Sequence, residues 1–262
     1  MTGKNRTWAA AGALAAGLVA GAAALDRRLG TVPLVTASGV ALSCSYLMGT
    51  FATRNRIFGA PVSVDRIPGE FALTFDDGPD PRFTPAICRL LAERGHRATF
   101  FVLARAARRH PHLVAEILST GHEVACHGDD HRLLAFASPR EVERQIVAAE
   151  DAVRLATGRL PVPLFRPPHG VRSPWLARVV ERHGYRLCAW DGAVFDTAQP
   201  GAAVIAARVD RLLGPGVTVL LHDGDGSGRG ACRQQTLDAL PTILDAAERR
   251  GLRSSCVSAL VG

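Results

Sequence analysis

The sequence predicts an α/β fold, a parallel sheet of about seven strands curled into an incomplete barrel, with one or two hydrophobic helices before it. Three observations carry this reading. Short apolar runs alternate with amphipathic stretches from Phe71 onward, several of those stretches open on a hydroxyl residue followed by proline, and most of them close on glycine.

The apolar runs predicted as strands are Phe71–Phe75, Ala98–Leu103, His122–Cys126, Pro163–Arg166, Arg186–Trp190, Val217–Leu221 and Leu252–Val257. Between them the pattern predicts helices over Pro85–Arg94, Pro111–Ser119, Pro139–Thr157, Pro174–His183, Ala202–Leu213 and Arg233–Arg250. Thr84, Ser138 and Ser173 each stand before a proline, where the hydroxyl can cap and the proline can take the first helical position. Gly95, Gly121, Gly158, Gly184 and Gly251 follow helices, where a left-handed residue closes the last turn. In such folds the chemistry gathers on loops at the carboxyl ends of the strands.

Two uncharged stretches precede this pattern, residues 8–25 and 31–51, each about long enough to span a bilayer. The expected organisation is therefore N-terminal membrane segments over residues 1–56, a linker over 57–69 and a catalytic domain over 70–262. The first stretch is rich in Ala and Gly, and its Ala22-Ala23-Ala24 end also suits a signal-peptide cleavage site. Basic residues flank all the connecting regions, so charge does not decide the sidedness; an extracytoplasmic domain is the leading expectation, with the cytoplasmic face as the alternative.

The 47% hydrophobic content excludes disorder in a chain of 262 residues. A net charge of +7 suggests an anionic partner, yet the positive charge is almost all scattered Arg, Lys4 is the only lysine, and aromatics are 6%. A nucleic-acid groove needs bases interleaved with stacking side chains, and no nucleic-acid partner is expected. A basic surface facing anionic lipid or wall polymer fits better. Six cysteines show no C-x2-C spacing, and buried free thiols are the expectation.

Polar clusters fall where the fold rule places them. The first strand runs into Asp76-Asp77-Gly78-Pro79, whose neighbouring carboxylates point in different directions, although Asp-Gly-Pro is also turn chemistry. The third ends in His127-Gly128-Asp129-Asp130-His131, where two histidines one helical turn apart can close on one ion. Asp77, His127 and His131 together offer two imidazoles and a carboxylate, leaving positions open for water and substrate, and Asp76 is then available as a general base. Arg166, at the end of the fourth run and beside two prolines, can hold Asp76 ionised through a charge-assisted pair. The fifth run leads to Trp190-Asp191 and on to Asp196; the sixth ends in His222-Asp223, a histidine suited to act as a general acid if a carboxylate keeps it protonated. His96, His110, His112, His122 and His183 show no partner pattern and read as surface or structural.

These clusters, T-F-D-D-G-P, H-x3-H, R-P-P-H-G and L-L-H-D in that order, resemble the polysaccharide deacetylase family, carbohydrate esterase family 4, which includes chitin, chitooligosaccharide and peptidoglycan deacetylases. The resemblance covers about Phe71 to Val257. It implies a distorted (β/α) barrel, one divalent metal ion at Asp77, His127 and His131 (zinc, with cobalt, nickel and manganese as alternatives), Asp76 as base, Arg166 as its orienting partner and His222 as acid. It further implies Asp196 as the support of the acid, the His169 amide as an oxyanion donor beside Pro168, and Leu220 as the apolar wall against an acetyl methyl. Two positions depart from the family pattern. Thr197 stands where a tryptophan is common, which opens the acyl pocket, and Gly128 replaces a Ser or Thr that would brace the histidine loop.

The expected activity is removal of N-acetyl groups from N-acetylglucosamine-containing glycans such as peptidoglycan or a chitin-like oligomer. Two rivals remain open. One is deacylation or deformylation of a lipid-linked amino sugar or small glycoconjugate; the other is a non-catalytic glycan-binding protein on the same scaffold, against which the presence of both proton-transfer groups argues.

Overall fold

The structure is a computed structural model that describes residues 58–261 together with 43, 44, 46–48, 50 and 56. Eight strands form one sheet: β1 (Glu70–Asp76), β2 (Ala98–Val102), β3 (Glu123–Cys126), β4 (Leu164–Phe165), β5 (Arg186–Leu187), β6 (Gly192–Ala193), β7 (Thr218–His222) and β8 (Arg253–Ser254). Their order is β5-β4-β3-β2-β1-β7-β6, with β8 pairing the start of β1, and every pairing is parallel. Among the described residues no ladder joins β5 to β6, so the barrel stays open at that seam. Val62 lies along the seam, bridging Cys188 in parallel and donating its N–H to the Leu187 carbonyl at 2.7 Å.

The connecting helices are α1 (Thr84–Glu93), α2 (Ala104–Arg109), α3 (Pro111–Ser119), α4 (Pro139–Thr157), α5 (Leu176–Arg182), α6 (Ala202–Asp210), α7 (Gln234–Arg249) and α8 (Val257–Leu260). Successive strand residues face opposite sides of the sheet, and here the two sides are two different cores. Phe71, Leu73, Phe75, Phe100, Val124, Phe165, Val219 and Leu221 join Ile87, Ile117, Ile146, Val179, Ile205 and Leu240 of the helices in an outer core. Ala72, Phe101, Ala125, Leu164 and Cys188 join Val64, Val257 and Leu260 in a smaller cluster within the barrel. The same alternation sends Thr74 and Asp76 inward with Ala72, and Arg166 inward with Leu164. Polar side chains at the inner ends of β1 and β4 thus meet each other rather than water.

Most predicted elements are present: the helices Pro111–Ser119 and Pro139–Thr157 keep their predicted bounds, β1 is longer by one residue at each end, and β4, β5 and β8 are shorter. The strand β6 and the helices α2 and α8 lie outside the predicted elements, α8 beginning at Val257, where the pattern predicts the end of a strand. A two-residue strand containing glycine has no apolar run to announce it, and Ala-Arg-Ala-Ala-Arg-Arg has no apolar stripe, its only buried residues being Ala104 and Ala107. Of the predicted caps, Ser138 accepts from the Glu141 N–H at 3.2 Å as expected. Thr84 does not cap α1: its hydroxyl is taken by tertiary partners, accepting from the Asp80 N–H and bonding to Asp223 at 2.5 Å. Ser173 does not cap α5 either, because that helix begins after Trp175. All five predicted helix-closing glycines have positive φ, Gly158 at 71° among them.

The predicted spans at 8–25 and 31–51 lie outside the described residues except for a few positions in the second. Among the described residues no helix is long and apolar enough to cross a membrane.

The ring of Phe100, fully buried, stacks on Phe75 with centroids 5.1 Å apart, directly behind the strand that carries Asp76. Phe100→Ala is expected to lower unfolding free energy by about 3–5 kcal/mol, measured by denaturant titration; a change below about 1 kcal/mol would mean the outer core repacks freely.

Candidate metal and catalytic site

Asp77 follows β1 with φ at 77°, a left-handed conformation unusual for a residue with a side chain, and it turns its carboxylate away from that of Asp76. His127 follows β3, and its Nδ1 lies 2.8 Å from the Arg166 carbonyl. A carbonyl can only accept, so Nδ1 carries the proton and Nε2 presents its lone pair. His131 comes round to the same point: its Nε2 is 3.1 Å from Asp77 Oδ1, while His127 Nε2 is 3.5 Å from that oxygen. The sequence spacing suggested a helical pair, but residues 127–137 form no helix. Instead Gly128 (φ 86°) and His131 (φ 60°) fold the loop back on itself.

Ligand-type atoms of Asp77, His127 and His131 lie within 4.8 Å of one another. Asp77 Oδ1 is buried and makes no hydrogen bond, although two ring nitrogens face it. Burial works against the Asp77 anion, but His127 and His131 outweigh it and hold the carboxyl well below its usual range. Burial also pushes His131 down to about 3, against the pull of Asp77, so it is a neutral imidazole at physiological pH. His127 moves up despite its burial, because Asp76 and Asp77 attract a proton there. Two anions that draw positive charge to an Nε2, an orphaned carboxylate oxygen and a neutral imidazole fit a cation between the three residues.

The histidine loop is braced in a way the sequence did not reveal. Gln145 on α4 accepts from the Asp129 N–H at 2.6 Å and donates to Asp130 and Glu141 at 3.0 and 2.9 Å. A Cβ on Gly128 would stand 2.7 Å from Gln145 Oε1, so the glycine that lacks a bracing hydroxyl makes room for a brace from the helix. Gly226 is a second unpredicted contributor: a Cβ there would lie 2.6 Å from the His131 ring and 2.7 Å from Asp77 Oδ1.

Arg166 is fully buried, and its Nη1 donates to Asp76 Oδ1 at 2.7 Å and Thr74 Oγ1 at 2.8 Å. Its Nη2 reaches the Ala189 carbonyl at 3.1 Å, and the guanidinium lies 3.9 Å over the Phe101 ring. The other Asp76 oxygen, Oδ2, faces His127 Nε2 at 3.7 Å, which points the carboxylate at the cation position.

Across the site, His222 pairs with Asp76 in the β1–β7 register. The carboxylate that supports it is Asp196, whose Oδ1 is 2.8 Å from His222 Nδ1 and whose Oδ2 accepts from the His222 N–H at 2.8 Å and from Thr236 at 3.0 Å. Burial disfavours the His222 cation, but Asp196 at that distance, with Asp77 and Asp76 beyond it, raises its pKa. Asp223, the sequence neighbour, points elsewhere: it bonds Thr84, packs against Gly78 where a Cβ would come within 2.1 Å, and is pushed up to about 7 by burial. Asp191 also leaves the site, accepting from the Thr218 N–H at 2.7 Å.

His169 sits in a 3-10 turn, Pro168–Gly170, with φ at 61°, and its ring lies 4.3 Å from that of His131. Pro168 in that turn is buried, as is Leu220, on the face of β7 opposite Val219 and Leu221. Thr197, next to Asp196 in a 3-10 turn, is half-buried, and Phe195 before them is exposed. Of the five histidines set aside, His96 and His122 are buried in backbone hydrogen bonds, with Ser254 N and with Ala98 N and the Cys88 carbonyl.

The arrangement has known counterparts. A family model described as polysaccharide deacetylase matches residues 64–188. A chitooligosaccharide deacetylase from Sinorhizobium fredii is 36% identical over 184 residues, covering 68% of this chain and 86% of that one. This chain belongs to the polysaccharide deacetylase family. A peptidoglycan-N-acetylglucosamine deacetylase from Bacillus cereus is 35% identical over 193 residues, covering 72% of this chain and 87% of its own. Among solved structures, a family 4 carbohydrate esterase from Streptomyces lividans in complex with acetate superposes with a TM-score of 0.65 at 31% identity, covering 71% of this chain and 92% of that one. The polysaccharide deacetylase assignment agrees with the incomplete barrel and with the order of the motifs.

Two measurements probe this geometry. Gly226→Ala is expected to weaken Zn2+ binding at least about tenfold by calorimetric titration, since a methyl group would displace a ligand; undiminished affinity would place the ion elsewhere. In a proton NMR titration His222 is expected to titrate above 6.5, and in Asp196→Asn at a lower pH, because the neutral amide no longer favours the imidazolium. Equal midpoints would remove Asp196 as the support.

Proposed function

We propose that this chain is a metal-dependent hydrolase that removes N-acetyl groups from N-acetylglucosamine-containing glycans, with Asp77, His127 and His131 holding one divalent ion, zinc foremost. The observation that carries the proposal is the pairing of two oppositely prepared proton-transfer groups across one candidate cation site. Asp76 is paired with and oriented by a buried guanidinium, and His222 is biased toward its cation by Asp196. A glycan-binding protein needs neither. The chitooligosaccharide and peptidoglycan deacetylases that this chain resembles support the substrate class.

A bound divalent ion supplies Lewis-acid polarisation of the acyl carbonyl and lowers the pKa of water at the site. The residues of the chain do the rest. Asp76 accepts a proton from the attacking water, its orientation fixed by Arg166 on one oxygen. Negative charge developing on the carbonyl oxygen is met by the backbone amide of His169, and the methyl of the acyl group packs on Leu220. An amine leaves poorly unless protonated as the C–N bond breaks, and His222 gives it that proton from the opposite side. Asp196 stabilises the imidazolium before transfer and fixes its ring through two contacts, one to Nδ1 and one to the backbone N–H.

The second reading, deacylation or deformylation of a lipid-linked amino sugar, is favoured by Thr197, which leaves the acyl pocket wider than a tryptophan would. The uncharged stretches at 8–25 and 31–51 support a membrane-tethered chain, and the wall-glycan substrate class supports a catalytic domain, residues 70–262, outside the cytoplasm. Protease accessibility on intact cells tests that placement.

Metal-loaded protein is expected to release acetate from N-acetylglucosamine oligomers, and Asp76→Asn to lose this by at least about a hundredfold while still binding metal. Inactivity of both proteins across polymeric, oligomeric and lipid-linked substrates would favour the binding protein. His222→Ala is expected to lower kcat far more than it raises KM; an unchanged kcat would remove His222 as the acid.

A further inference from the structure

A cleft of about 120 Å3 opens directly beside Asp77, between α2 and the loop that follows β7. Arg105, Arg109 and His110 line one wall, and Asp80, Asp225 and Gly228 line the other. Arg105 and Arg109 are four residues apart on α2, so one helical face presents both to the same space.

The charges on the two walls are not balanced. Asp80 is clamped by Arg82, Nη2 to Oδ2 at 2.7 Å and Nε to Oδ1 at 3.0 Å. Asp225 is taken up by Ser227 Oγ at 2.7 Å, by the N–H groups of Ser227 and Ala231 at 2.9 Å each, and by Arg233 at 4.0 Å. Asp77 belongs to the candidate cation site. Arg105, by contrast, gives its Nη2 to backbone carbonyls only, Gly226 at 2.5 Å and Asp225 at 3.4 Å. Among the described residues no carboxylate pairs with Arg105 or with Arg109, which is exposed. The acidic groups of the cleft are thus spoken for while two guanidinium charges are not, and the space between them is positive.

We propose that this cleft is a subsite for an oxyanion carried by the substrate, a carboxylate or phosphate on the unit next to the amino sugar being deacylated. The inference rests on the deacylase reading and deepens it by naming the substrate's charge. Arg109 contacts the anion with a planar fork suited to carboxylate or phosphate oxygens. Arg105 is a positioning residue as well. It holds Gly226, where an added Cβ would strike the His131 ring and Asp77 Oδ1, so one side chain ties the anion subsite to the candidate metal ligands.

The test compares three substrates of similar length at saturating Zn2+: a neutral chitooligosaccharide, an oligosaccharide alternating N-acetylglucosamine with N-acetylmuramic acid, and a diphosphate-linked N-acetylglucosamine. The wild-type chain is expected to prefer at least one acidic substrate in kcat/KM, and Arg109→Glu to lower the acidic-to-neutral ratio about tenfold or more, through KM rather than kcat. Arg109→Lys is expected to restore part of the ratio. The preference is also expected to shrink between about 20 and 500 mM NaCl. Preference for the muramic acid oligomer identifies a carboxylate; preference for the diphosphate identifies a phosphate. A ratio that is the same in wild type and Arg109→Glu for both acidic substrates overturns the proposal, as does an equal loss of kcat on all three. Binding of N-acetylmuramic acid and inorganic phosphate, followed by NMR on wild-type and Arg109→Glu protein, gives a readout independent of turnover. If no substrate releases acyl group, the deacylase reading fails by itself; weaker binding of either anion to the variant still supports the subsite, and equal binding of both overturns it.

Discussion

A guanidinium with no access to solvent holds this site together. Arg166 bonds Thr74 and Asp76 of β1, reaches the Ala189 carbonyl beyond β5, lies over Phe101 of β2, and offers its own carbonyl to His127 after β3. Four other segments of the barrel are therefore referenced to this one residue, three through its side chain and one through its carbonyl. Placing a charge there costs several kcal/mol of desolvation, which a single ion pair seldom offsets alone. Here the ring face and three acceptors share the compensation. The same residue fixes both the orientation of the Asp76 carboxylate and the tautomer of a candidate metal ligand.

Much of this was legible in the sequence, because strand ends and motif residues coincide. Asp76, Asp77, His127, His131, Arg166, Asp196 and His222 all converge at the carboxyl ends of the strands, as the fold rule requires. Adjacency along the chain was the poorer guide. His222 and Asp223 are neighbours, but successive residues at a strand end face opposite ways, and the supporting carboxylate comes from 26 positions earlier. The helical reading of the His127–His131 spacing failed for a related reason: glycine at 128 permits a left-handed turn that brings the rings together without a helix.

What the sequence hid are the residues that act by shape or at a distance. Gly226 matters for the side chain it lacks, and nothing in a glycine-rich loop distinguishes it from Gly224 or Gly228. Gln145 lies mid-helix in a pattern that reads as an ordinary amphipathic surface; only the folded position of α4 over the histidine loop turns it into a brace. Arg105 and Arg109 sit in a helix with no apolar stripe, so neither the helix nor its shared face could be seen beforehand.

The two-core construction of the sheet has one more implication, for what change the chain can absorb. Within β1, even-numbered positions face into the barrel, Thr74 and Asp76 toward the site and Ala72 toward its small apolar cluster, while odd-numbered ones serve the packing of helices, so the strand behaves like a reading frame. Inserting one residue ahead of Thr74 would turn Asp76 toward the outer core and bring Phe75 into the barrel. A whole residue of growth is tolerable in the loops, where length changes cost little. In β1 it would exchange the roles of every downstream position at once, leaving composition and hydrophobicity nearly untouched.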